Sequence, residues 1–284
     1  MNNTKVIGID LGATNIRGAI VEGSSLSAIV SQKIKSDGSV EEVLNDIYKV
    51  VDALLKVNNV AAIGIGVPSV VDVAEGIVYD VQYIPSWKEV HLKQLMEARY
   101  HIPVYVNNDA NCFAVGEFYF GKGHNVDSMV GLTLGTGLGA GIMINKHLYA
   151  GSNCGAGEFG LFPYRDNILE YYSSGSFFTN VYGLDGVQVF EDAQKGDAKA
   201  LELYKELGKH IGNAIKQVMY AYDPQLIVLG GSVRQAYQFF EQTMWQEIKT
   251  FAYTKTAERI KVEVSELQNS GIIGAAALYY DSQQ

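Results

Sequence analysis

Basic residues are scarce in this chain of 284 residues: 22 Lys and Arg stand against 31 Asp and Glu, a formal net charge of −9. A surface built to neutralise nucleic-acid phosphates carries a basic excess, so no nucleic-acid partner is expected. No Lys/Arg block marks a membrane surface either. Cysteine is nearly absent. Cys112 and Cys154 are far apart and form no CxxC, which argues against a disulfide framework and a cysteine-based metal site. No apolar run is long enough to span a bilayer. The opening MNNTKVIGID lacks a signal-peptide core, so the expected location is the cytoplasm. With 5 prolines against 30 glycines, tight turns rather than extended linkers should join the elements.

Hydrophobic residues make up 48% of the chain, enough for real cores, and the length fits two domains. Apolar runs bounded by glycines and acids read as strands at residues 5–10, 15–23, 25–35, 61–69, 102–109, 128–135, 139–145, 225–231 and 260–267. Helical periodicity covers residues 39–57, 90–100, 110–121, 198–222, 236–251 and 271–280. Ser39 and Glu42 form a capping box ahead of a stripe of Val40, Leu44, Ile47, Val51 and Leu54. Residues 148–186 read as loop-rich.

One internal similarity outweighs the element list. IGIDLGATNIRGAIV, from Ile7, aligns with VGLTLGTGLGAGIMI, from Val130, placing Gly8 on Gly131, Leu11 on Leu134, Gly12 on Gly135 and Gly18 on Gly141. Each half is strand, glycine turn, strand. Two ordinary hairpins would have this pattern. So would a duplicated phosphate-binding hairpin, one per domain, which is the reading favoured here. In DLGATNIRG, Gly12 lets backbone approach a phosphate, Thr14 offers a hydroxyl beside Asn15, and Asp10 can hold hydrated Mg²⁺. Gly135, Thr136, Gly137, Gly139 and Gly141 make a second nest of N–H donors plausible. No Walker pattern follows, and a strand rather than a helix comes after the turn, against a dinucleotide fold.

VYVNNDANCF ends a strand and opens a helix. Asp109 sits at or near the N-cap, and can cap the helix, serve as a general base, or both. Asn108 offers a donor and an acceptor suited to a polyhydroxyl ligand. Glu158 follows a glycine turn and Glu170 lies in an aromatic run, neither with a basic partner one helical turn on. In DPQLIVLGG, Gly230 and Gly231 end a buried strand, either as a plain tight turn or as a flat seat for an adenine.

DLGATNIRG, VNNDAN, LGTGLGAG, GEFG, LEYYSSG and DPQLIVLGG occur in this order across almost the whole chain. Together they resemble the ROK family, bacterial sugar kinases of the actin/hexokinase/Hsp70 superfamily. The resemblance implies an α/β chain with a two-domain actin-like ATPase (ribonuclease H-like) fold around a central cleft. The division expected is a smaller domain of residues 1–114 plus about 269–284 and a larger one of 115–268. It implies ATP-dependent phosphorylation of a monosaccharide, a glucose-type hexose at its 6-hydroxyl, with fructose, mannose or an N-acetylhexosamine as alternatives. A catalytically weak sugar-binding protein of the same fold is a further alternative. Asp109 would be the base, and Asn108, Glu158 and Glu170 the sugar ligands. Asp10, Gly12, Thr14, Asn15, Gly135, Thr136, Gly137, Gly230 and Gly231 would serve the nucleotide, with Mg²⁺ on Asp10 through water. A homodimer is common in the family. The family's sugar-responsive repressors carry a helix-turn-helix segment, and no basic patch or such segment is read here.

The sequence also departs from the family. Leu161 stands where many members have a histidine that contacts sugar, and Ile168 takes the place of the last zinc cysteine. No zinc is therefore expected, with Phe159, Phe162, Tyr164 and Ile168 supplying packing instead. Tyr83 replaces an asparagine found in glucokinase-like members, so the identity of the sugar stays open.

Overall fold

The computed structural model describes residues 4–56, 58–152 and 154–284. They form two compact units, one of residues 1–125, 141–156 and 266–284, the other of residues 126–140 and 157–265.

The first unit opens with the expected meander, β1 (Lys5–Leu11), β2 (Asn15–Glu22) and β3 (Ser25–Lys33), paired antiparallel. Helix α1 (Val40–Leu55) starts at the Ser39 capping box and buries Val43, Leu44, Ile47, Val50, Val51 and Leu54. The sequence reading carried this helix on to residue 57, which lies outside the described residues. Next come β4 (Ala62–Val67) and a small sheet of β5 (Val70–Asp72), β6 (Ile77–Tyr79) and β7 (Glu89–Val90). Helix α2 (Leu92–Tyr100), β8 (Val104–Asn108) and α3 (Asp109–Phe120) complete the run.

The main sheet has the order β3-β2-β1-β4-β8, and β1, β4 and β8 are parallel. One face packs on α1 through a core that includes Ile9, Leu11, Ile47 and Val50. The last helix of the chain, residues 270–281, closes on the other face. Its backbone lies so near the sheet that a Cβ on Gly8 would sit 2.0 Å from the Ile272 carbonyl oxygen, and one on Gly64 1.9 Å from that of Ala275.

A second sheet repeats this order. β9 (Met129–Leu134), β10 (Leu138–Ile144), β11 (His147–Leu148), β14 (Leu226–Gly230) and β15 (Lys261–Val264) form a sheet of order β11-β10-β9-β14-β15, with β9, β14 and β15 parallel. Third, second, first, fourth, fifth is the sequence of strands in both sheets. The boundary between units falls inside β10, between Ala140 and Gly141.

Residues 148–186 are more ordered than their composition indicates. They hold a 3₁₀ turn (Phe159–Leu161), a hairpin of β12 (Pro163–Tyr164) and β13 (Asn167–Ile168), α4 (Leu169–Ser173) and α5 (Phe177–Tyr182). Then follow α6 (Gly186–Gln194), α7 (Ala198–Tyr222), α8 (Tyr237–Ile248), α9 (Thr254–Arg259) and, in the first unit, α10 (Ser270–Asp281).

The hairpin rests on aromatic packing. Phe159 is buried against Phe162 and Tyr222, with ring centroids 5.4 and 5.7 Å away. Tyr164 meets Tyr172 edge-on at 5.7 Å and hydrogen-bonds His210 Nδ1 at 3.1 Å. Phe162 stays exposed and Ile168 is half-buried. His210 is buried, its Nε2 lacks a hydrogen-bond partner, and Glu206 Oε1 lies 3.7 Å away. Burial pushes the imidazole down to about 4; Arg165 adds to the effect and Glu206 opposes it.

A folded-state value below the ordinary His value means the unfolded chain takes up this proton first, so stability falls as pH drops from about 6.5 toward 4. Between pH 7 and 5 the wild type should lose roughly 1–2 kcal/mol through this group. Urea midpoints at the two pH values should move less in His210→Gln, and an equal loss in both proteins would remove His210 from the account.

Candidate functional site

Parallel strands bring their carboxyl ends to one edge. In the first unit Asp10 pairs in register with Gly66, and Gly66 with Asn107, so Asp10 and the Asn107–Asp109 segment flank the end of β4. Asp10 is half-buried, ion-paired to Arg17 Nη2 at 2.7 Å and seated against Gly271, where a Cβ would come within 2.8 Å of its carboxyl carbon. The turn after β1 closes with Gly12 N–H donating to Asn15 O at 3.0 Å, leaving Thr14 and Asn15 exposed.

The N-cap of α3 is Asn108, and Asp109 is the first helical residue. Asn108 Oδ1 accepts from Ala110 N at 2.9 Å and Asn111 N at 3.4 Å, and its Nδ2 donates to Ser69 O at 3.3 Å. Much of its hydrogen-bonding capacity is thus spent on the fold. Relieved of capping, the Asp109 side chain is exposed, and its Oδ1 accepts from Ala110 N at 2.8 Å. Beneath it Cys112 is fully buried; burial raises its thiol, and the charges of Asp109 and Asp10 raise it further. Both carboxylates are therefore felt at one buried point of this unit. Asn107 Oδ1 anchors the segment from below, accepting from Asn108 N at 2.8 Å, Asn111 Nδ2 at 2.9 Å and Cys154 Sγ at 3.3 Å.

In the second unit a cavity of about 450 Å³ opens beside the turn between β9 and β10. Gly135, Thr136, Gly175 and Ser176 line one end; Phe190, Tyr204, Val233 and Ala236 give it apolar walls, and Asp185 and Gln235 add polar groups. Gly230 and Gly231 are not among the lining residues. Gly231 has φ 74° and ψ −179°, and its Cβ would fall 2.2 Å from Leu134 O, so packing alone demands a glycine there. Of the residues that follow it, Ser232, Val233, Gln235 and Ala236 line the cavity. Sequence reasoning missed Arg17, Ser176, Asp185, Tyr204 and Gln235. For Asp185 a signal existed, since it caps a helix the element list overlooked.

Glu158 begins the 3₁₀ turn without a side-chain capping bond. It reaches solvent, yet crowding around its carboxyl, aided by the charge of Glu170, pushes its pKa up. Glu170 Oε2 accepts from Leu138 N at 2.7 Å and fills the space a Cβ on Gly137 would need, 2.4 Å away. Leu161 is 59% exposed and Tyr83 52% exposed. Among the described residues no group of three or more His, Cys, Asp or Glu is placed to hold a metal ion. A hydrated Mg²⁺, held by one or two carboxylates plus phosphates and water, needs no such group, and Asp10 suits that role.

A family model described as ROK family matches residues 6–282. A glucokinase from Thermotoga maritima is 26% identical over 318 residues, 98% of this chain and 98% of that protein. The xylose repressor of Bacillus subtilis is 24% identical over 297 residues, 97% of this chain and 77% of that protein. Among solved structures, a ROK family glucokinase from Streptomyces griseus in complex with glucose and AMPPNP is 26% identical, covering 96% of this chain and 98% of that one with a TM-score of 0.80. The fold is the two-domain actin-like ATPase fold that the motif order implied.

Two glycines separate packing from ligand binding. A Cβ on Gly135 meets nothing within 4 Å and would project at the cavity, whereas one on Gly231 strikes backbone. Gly135→Ala should melt within a degree or two of wild type. Gly231→Ala should lose about 2 kcal/mol or more of stability. Equal melting temperatures for Gly231→Ala and Gly135→Ala would overturn this division.

Proposed function

Because the chain belongs to the ROK family, we propose that it is an ATP- and Mg²⁺-dependent kinase of a free monosaccharide, a glucose-type hexose phosphorylated at its 6-hydroxyl. The observation that carries this reading is the exposed carboxylate of Asp109, held at the carboxyl end of β8 by a cap that Asn108 supplies in its stead. A general base must be accessible and rigidly aimed.

Asp109 takes the proton of the sugar hydroxyl. The resulting oxygen attacks the γ-phosphorus in line, and the bond to the β–γ bridging oxygen breaks as ADP departs. Glu158 and Glu170 accept hydroxyl hydrogens, and Asn108 contributes its remaining amide hydrogen. The turns at Gly12–Asn15 and Gly135–Gly137 present backbone and hydroxyl donors to the phosphates. The 450 Å³ cavity takes the adenosine between Phe190, Tyr204 and Val233. Asp10 would hold hydrated Mg²⁺, which would supply neutralisation of phosphate charge. Little covalent work falls to the protein, so acceleration comes from positioning and charge stabilisation.

One observation favours a second reading. Leu161 and Tyr83 offer no equivalent of the family's sugar contacts, and a repressor matches almost the whole chain. Such a protein would bind a sugar without phosphorylating it. ADP release over glucose, fructose, mannose and N-acetylmannosamine separates the two, with saturable sugar binding and no ADP favouring the second. In the kinase reading Asp109→Asn should lower turnover about 10³-fold and leave AMPPNP affinity within about twofold. Near-normal turnover would sink the base assignment.

A further inference from the structure

The turn between β9 and β10 is held partly from outside. Within it the one backbone bond is Gly135 N to Gly137 O at 3.0 Å. Beyond the β9–β10 pairing and Thr133 Oγ1 donating to Gly139 O at 3.3 Å, further hydrogen bonds reach it from residues 170–176 of the same unit. Gly175 N donates to Gly135 O at 2.7 Å, Ser176 Oγ donates to Thr136 O at 2.7 Å, and Glu170 Oε2 accepts from Leu138 N at 2.7 Å. One short segment thus straps the turn at both ends, and its first anchor is a carboxylate.

That carboxylate has two oxygens and one described hydrogen bond. Oε2 is committed to Leu138 N; Oε1 lies farther from the turn, 3.6 Å from where a Gly137 Cβ would be against 2.4 Å for Oε2. We infer that Glu170 is a shared ligand, with Oε2 fixed on the phosphate turn and Oε1 accepting a sugar hydroxyl, so that sugar and nucleotide binding are coupled through it. This rests on the sugar-kinase reading above.

The physical basis is charge and order. Without sugar, the carboxylate lies near Glu158 and is held by one described hydrogen bond. A hydroxyl donated to Oε1 fixes the second oxygen, which narrows the orientations of the first and so of the Leu138 N–H. The turn is then pre-ordered for the phosphates, and a second ligand meets a smaller ordering cost. By linkage, the nucleotide must tighten the sugar by the same factor. Gly137 is glycine in this account because the carboxylate occupies the place of its side chain.

AMPPNP affinity, measured by calorimetry with Mg²⁺ in the absence and presence of saturating glucose, tests the coupling without turnover. In the wild type, glucose should tighten AMPPNP about 5-fold or more. Gly137→Ala keeps Glu170 but drives its carboxylate off Leu138 N, and the ratio should fall below about twofold. Glu170→Gln keeps an acceptor for Leu138 N, so its ratio should lie between the two. Melting temperatures near wild type would show both variants folded. A wild-type ratio of one, or a wild-type ratio retained in Gly137→Ala, would overturn the inference while leaving the kinase reading intact. If AMPPNP binds but glucose, fructose, mannose and N-acetylmannosamine do not, the sugar-kinase reading fails and takes the inference with it.

Discussion

Parallel pairing beside a hairpin is the constraint on which both units depend. A hairpin's first strand ends on a buried leucine, Leu11 in one unit and Leu134 in the other. The strands joined to it through helical crossovers must run parallel to it, so their carboxyl ends line up with the hairpin turn. Polar residues at those ends then become neighbours without any local sequence signal. Asp10, Gly66 and Asn107 share a register line for this reason, and Gly230 comes alongside Thr133 in the same way. The price is paid in glycine: α10 can cover β1 and β4 only because Gly8 and Gly64 present bare backbone to it.

What could be read from sequence was whatever is written locally. The capping box at Ser39 places the start of α1 within a residue, and the long amphipathic run of α7 places both ends of that helix. The duplicated hairpin was legible because the apolar-glycine pattern survives in both copies. Short elements were not. α6 and α9 span only nine and six residues, too brief for a clear periodic stripe, and β12 and β13 contribute two residues each. Their order comes from tertiary packing, which a window of sequence does not contain.

Site residues divide along the same line. Asp109 and Glu170 were identifiable as chemically apt, but their hydrogen bonds were not. Sequence alone left Asp109 at or near the cap; the structure gives that duty to Asn108, whose oxygen accepts from two backbone donors. This leaves Asn108 less able to serve a ligand and Asp109 more able, a trade that spacing cannot reveal. Gly137 and Gly231 likewise resembled phosphate or adenine seats. Their nearest constraints are a carboxylate and a strand backbone, respectively. A glycine reports that something comes close, and only three dimensions say what.

The ion pair of Asp10 with Arg17 shows how such a site holds charge at rest. Two carboxylates, Asp10 and Asp109, act on one buried point, and the chain is acidic throughout. Arg17 offsets one of them at 2.7 Å, but its own side chain is 46% exposed and that of Asp10 23%. A pair this open to solvent contributes about 0–1 kcal/mol. It is strong enough to keep Asp10 oriented over Gly271 and weak enough to yield when a hydrated divalent cation and its phosphates supply several times that interaction. A buried pair would have cost several kcal/mol to part and would have closed Asp10 to the role proposed for it. In the proposed kinase, partial exposure at the carboxyl end of β1 would leave Asp10 both neutralised at rest and available for the cation.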